Sequence, residues 1–254
     1  MTLLAQPVRI RRLVAGTAII GCPAAGVVSS AFDANEGTDT PGDALFGIAL
    51  AHDRGIWIAG LVFILSAIFT VPTAFGLLHL SAGRAITLGH LGAVFLILGA
   101  FGHMGYGTWQ LMVAKIPGPG ERSTLAAYFD RASAVNGVLL PMLMSIIVGL
   151  ILAALAAFRS GFVPRWVPGV LIAVAVFDFI ASSTALGTSK WTHVVTWSVA
   201  LIGLSYVGAM VLRMSDQAWA DLYPRPIHGS NDTLRFDTPQ MTAPRRPVSV
   251  GPTR

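Results

Sequence analysis

Residues 134–158 read AVNGVLLPMLMSIIVGLILAALAAF, 25 residues without a single charged side chain. A helix of that length reaches about 37 Å at about 1.5 Å per residue, enough to cross a hydrocarbon core of about 30 Å with some tilt. A half-buried strand or a surface helix would alternate apolar and polar positions at a period of about 2 or 3.6. This stretch does neither, so it reads as a transmembrane helix, and the rest of the chain can be measured against it.

Five more apolar runs of similar length lie at 13–32, 56–80, 85–112, 163–186 and 193–212. Together they predict an all-α fold, a polytopic membrane helix bundle of about six transmembrane helices over residues 13–213. A basic segment, 1–12, precedes the bundle and a polar tail, 214–254, follows it. Composition points the same way: with 54% hydrophobic and 11% charged residues and a mean hydropathy of +0.68, water is not the main solvent of this chain. The tail is rich in Pro, Arg, Asp, Ser and Thr. It buries too little apolar surface to offset the entropy of ordering it, so it is expected to be disordered, with Trp219 and Tyr223 near the membrane interface.

The formal charge of +5 could suggest nucleic acid, but the arginines stand beside apolar runs and form no patch interleaved with aromatics. They read as topology signals, and the expected partner is the lipid bilayer, with no nucleic acid. Connections 81–84 and 159–165 are short and basic, whereas 33–55 and 113–132 are longer and carry most of the loop acids. Placing the N-terminus inside puts Arg9, Arg11, Arg12, Arg84, Arg159, Arg165, Arg213 and the tail in the cytoplasm. Arg54, Lys115, Arg122, Arg131 and Lys190 are left outside. The positive-inside rule then agrees at each loop, and both termini are expected to be cytoplasmic in a bacterial-type cell membrane. The first run also carries Ile19, Ile20, Gly21 and Cys22, which imitate a lipoprotein cleavage box. Cleavage there would strand the apolar stretch 23–32, so a retained first helix is the expectation.

The opening basic and apolar segment, Arg11-Arg12-Leu13-Val14-Ala15-Gly16, and the end of the second run, Val71-Pro72-Thr73-Ala74-Phe75-Gly76-Leu77-Leu78-His79-Leu80, carry a likeness over roughly the first half of the chain. In these segments the chain resembles the uncharacterised bacterial six-helix multi-pass membrane proteins. The resemblance implies a membrane bundle and brings no assigned activity, so no functional residue is carried over from it.

Ionisable side chains inside apolar runs are the informative positions, because bilayer depth is costly for them unless they are paired, neutralised or wet. Asp178 lies deep in the fifth run. His103 and Gln110 share a face of the third run with Tyr106, at offsets of 7 and 3 from His103. Asn136 opens the fourth run and His193 the sixth. At about 1.5 Å per residue, His103 and Asp178 differ in depth by only about 5 Å. The expectation is therefore one polar cluster in the outer half of the bundle, formed by His103, Gln110, Asn136 and Asp178 with His193 near its mouth, acting as a ligand or proton pocket. The competing expectation is that each of these groups is structural glue bonded within its own helix.

Prolines 23, 72, 141 and 168 are expected to bend their helices. Three runs on each side of 113–132 would suit an inverted repeat, but the halves share no motif. His90 and His103 stand 13 residues apart, which leaves their rings about 140° apart around the helix and unsuited to two stacked haems. HExxH, P-loop and GxSxG patterns are absent, so no enzyme is expected. Cys22 is the only cysteine, and no cofactor or metal is expected. The leading reading is an integral membrane protein that handles a small molecule, ion or proton in an outward-facing polar pocket. The alternative is a non-catalytic membrane scaffold or partner subunit, and third comes a redox protein with a single haem between His79 and His90.

Overall fold

The computed structural model describes residues 5–32, 53–115, 121, 124, 133–182 and 190–222. Among them the regular elements are all helices: α1 (Ala5–Phe32), α2 (Asp53–Ser81), α3 (Ile86–Val113), α4 (Ser133–Ser160), α5 (Trp166–Ser182), α6 (Lys190–Arg213) and a short α7 (Asp216–Asp221). The longer connections expected at 33–55 and 113–132, and the tail beyond residue 222, lie largely or wholly outside the described residues. Five helices, α1, α2, α3, α4 and α6, are long and apolar enough to cross a membrane. The fifth expected span, 163–186, is described as the 17-residue helix α5. That is about 25 Å of helix, just under the thickness of a hydrocarbon core.

Each long helix packs on its neighbour in the chain, and α6 returns to α1, so the six close into a ring. Contacts at the glycines show that neighbours run antiparallel. Along the α3–α4 seam, Gly92 meets Ala153, Gly99 meets Ile146 and Gly102 meets Leu143; along the α1–α6 seam, Gly16 meets Leu212 and Gly26 meets Trp197. In both seams each step up one helix matches a step down the other. At Gly102 the helices are so close that a Cβ would stand 2.6 Å from the backbone nitrogen of Leu143. Lipid offers no hydrophobic drive for helices to associate, so van der Waals contact between closely approaching backbones takes its place.

The side chains are sorted by size in the way that solvent demands. The interior is rich in alanine, including Ala18, Ala59, Ala74, Ala154, Ala181 and Ala200, while Ile68, Phe75, Phe101, Val138, Phe158 and Ile202 point outward. Large apolar side chains on the outside and small ones at the seams are what a bundle in hydrocarbon requires. α1, α2 and α4 continue through Pro23, Pro72 and Pro141. Pro168 stands in the first turn of α5, where the missing N–H has no intrahelical partner to lose, and so bends nothing. α4 ends at Gly161, whose φ of 70° and N–H bond to the Ala157 carbonyl turn the chain back toward α5.

One end of the ring collects Arg9, Arg11, Arg84, Arg159, Arg165 and Arg213, all exposed. The main apolar core, from Ile19, Ala74, Leu77, Leu96, Ile147 and Leu150 to Val167, Leu204 and Val211, fills the half of the bundle nearer that end. The chain stays ordered past Arg213, which moves the structured boundary beyond the expected start of the tail at 214. Ser215 caps α7, its Oγ accepting from the Ala218 N–H, and α7 packs back on α1. Trp219 is 5% exposed within the core and stacks on the His79 ring at 4.1 Å, so its indole is packed inside the protein. His79 Nε2–H donates to the Trp219 carbonyl at 2.7 Å. Arg12 completes the closure. Its guanidinium pairs with Asp216 at 3.0 Å and donates to the carbonyls of Val211 and Leu212 in the last turn of α6.

Candidate functional site

In the half of the bundle away from the arginines, the interior becomes polar. Asp178, in the last two turns of α5, accepts a 3.0 Å hydrogen bond from Nδ1 of His193, in the first turn of α6. Antiparallel packing of α5 on α6 makes this pair, since it brings the end of one helix against the start of the next. Their side chains are only 13% and 20% exposed, so the contact is made largely away from water. The pair thus sets one acidic and one basic side chain against each other in a largely dry setting.

Beside the pair lies a small cavity between α4, α5 and α6. Ile146, Ile147, Leu150, Val174 and Ala175 form its aliphatic wall, and Asp178, Thr196 and Trp197 complete the lining. The Thr196 hydroxyl donates to the Thr192 carbonyl at 2.7 Å, which commits its hydrogen and leaves its oxygen lone pairs free to accept. The indole of Trp197 packs over Gly26 of α1. A side chain at position 26 would collide with that ring, so glycine lets the wall of the cavity rest directly on the α1 backbone.

A second polar line crosses α1, α2 and α3. His103 Nδ1 lies 2.9 Å from Ser66 Oγ, and the Thr70 hydroxyl donates to the Ser66 carbonyl and meets Cys22 Sγ at 3.2 Å. Phe63 stands edge-on to both His103 and Tyr106. His103 lies within electrostatic reach of Asp178, but its hydrogen bond goes to Ser66. The expected cluster is therefore arranged as two centres: Asp178 with His193 on α5 and α6, and His103 with Ser66 on α3 and α2. Gln110 is buried on α3, two turns from His103, and the side chain of Asn136 lies outside the described residues.

Ser66, Thr70, Thr196 and Trp197 were not among the expected site residues. The i, i+4 spacing of Ser66 and Thr70 places both on one face of α2, a signal available in the sequence. The geometry also bears on the histidines of the haem reading. His79 has its Nε2 engaged by the Trp219 carbonyl and one face covered by the indole, and His90 Nδ1 bonds the Ile86 carbonyl of its own helix. Among the described residues no three His, Cys, Asp or Glu side chains gather as a metal-binding group. Compared with protein-family models, curated proteins and solved structures, the chain matches none.

Proposed function

We propose that this membrane bundle handles a proton or a small cation at the Asp178–His193 pair, in a pocket facing the outside of the cell. The supporting observation is the 3.0 Å carboxylate–imidazole contact, largely shielded from water and bordering a cavity. Structural glue would be complete with neutral hydrogen-bonding groups, whereas an ionisable pair at depth is costly to keep and is retained where charge is used. Replacing Asp178 by Asn tests the reading, because the amide preserves a hydrogen-bonding shape and removes the titration. The parent is expected to show a protonation-dependent carboxyl band in infrared difference spectra taken across a pH step, and Asp178→Asn to lose it. A folded variant with the parent's spectrum would defeat the proposal.

The outward orientation rests on the exposed arginines gathered at the opposite end. A reporter active only in the cytoplasm is expected to give signal when fused at residue 83, 161 or 240, and none at 40, 120 or 189. Signal at 120 would reverse the assignment.

A further inference from the structure

The cavity beside Asp178 has room for about one water-sized guest, and its lining selects among guests of that size. The Asp178 side chain is largely buried, and His193 binds its Oδ1; among the described residues Oδ2 has no hydrogen-bond partner. Thr196, the other oxygen-bearing side chain of the lining, has its hydrogen committed to Thr192 and also offers an acceptor. An indole and five aliphatic side chains make up the rest of the described lining. The oxygens thus call for a guest that donates, and the carboxylate calls for a positive one. Hard metal cations take about six or more oxygen ligands, and among the described residues this lining has two oxygen-bearing side chains. An ammonium ion is water-sized, donates along N–H directions and is attracted to aromatic rings.

We propose that this cavity is a binding site for ammonium, an assignment that rests on the cation-handling reading of Asp178. Thr196 is a second acceptor for its N–H groups, and Trp197 closes the site toward α1. The test uses the full chain purified in detergent at neutral pH. Thermal unfolding is followed by tryptophan fluorescence in ammonium chloride and, at equal concentration, in sodium chloride and potassium chloride. Ammonium at about tenfold its half-saturating concentration is expected to raise the unfolding midpoint by about 3 °C over the other two salts. The shift is expected to vanish in Asp178→Asn and to shrink in Thr196→Val, which keeps the side chain's shape and removes the acceptor. Equal midpoints in the three salts, meaning a bound water only or an unselective cation site, would overturn the assignment. So would a shift that survives unchanged in both variants. If the parent shows no ammonium shift while Asp178→Asn loses the carboxyl band, the ligand falls and the proton site stands. If the band persists in that variant, the underlying reading falls first.

Discussion

Replacing Gly102 by alanine is expected to destabilise the bundle by about 2–3 kcal/mol, although it adds one methyl group to a helix. The new Cβ would lie 2.6 Å from the Leu143 nitrogen and 2.7 Å from the Met142 carbonyl carbon. Both are backbone atoms, which no rotamer change can move, so α3 and α4 must separate along their whole seam. Gly169→Ala is the matched control, because a Cβ there meets nothing within 4 Å and alanine is the better helix former. Unfolding by a denaturing detergent should show Gly102→Ala well below the parent and Gly169→Ala level with it or above. If the two variants behave alike, the close approach of α3 and α4 does not contribute in the way argued.

Trp219→Ala is expected to have the other large effect, about 3 kcal/mol, or a fall of roughly 6–12 °C in the unfolding midpoint. The indole fills space among the core residues at the arginine-rich end and covers the His79 ring. Removing it leaves a cavity and uncovers that ring. Asp216→Ala should be milder, since Asp216 is 39% exposed and Arg12 keeps its two carbonyl partners. Equal melting of Trp219→Ala and the parent would mean that α7 rests on the bundle without stabilising it.

What could be read from the sequence divides along a physical line. The membrane helices were legible because bilayer thickness forces a long apolar run into each one, and such a run survives any arrangement of its neighbours. That Asp178 belongs to an apolar run was legible for the same reason, and α5 as described carries it in its last two turns. Lateral partners were not. His103 and Asp178 were expected at one depth, yet which neighbour each reaches depends on how the helices are rotated, and that rotation is set by seams such as Gly102 on Leu143. The spacing of Ser66 and Thr70 marks a polar face on α2, but that this face turns inward against α3 is a matter of rotation and leaves no mark in the sequence. Trp219 escaped for a different reason. α7 is six residues long with an aspartate at each end, so its composition is that of a polar tail, and a single indole seated in the core leaves no periodic trace.

The seam between α1 and α6 has a consequence for how the molecule is made. Gly16 and Gly26 are shaped for Leu212 and Trp197, side chains that leave the ribosome some 170–200 residues later, which at 5–20 residues per second is a delay of roughly 10–40 s. During that interval α1 can settle only against α2, and its other small-residue face must be held by lipid or by the insertion machinery. Closure is thus the last assembly step, made by the final long helix. Because closure brings the first turns of α1 beside the end of α6 and α7, the arginine-rich end is completed only once the last helices are in place.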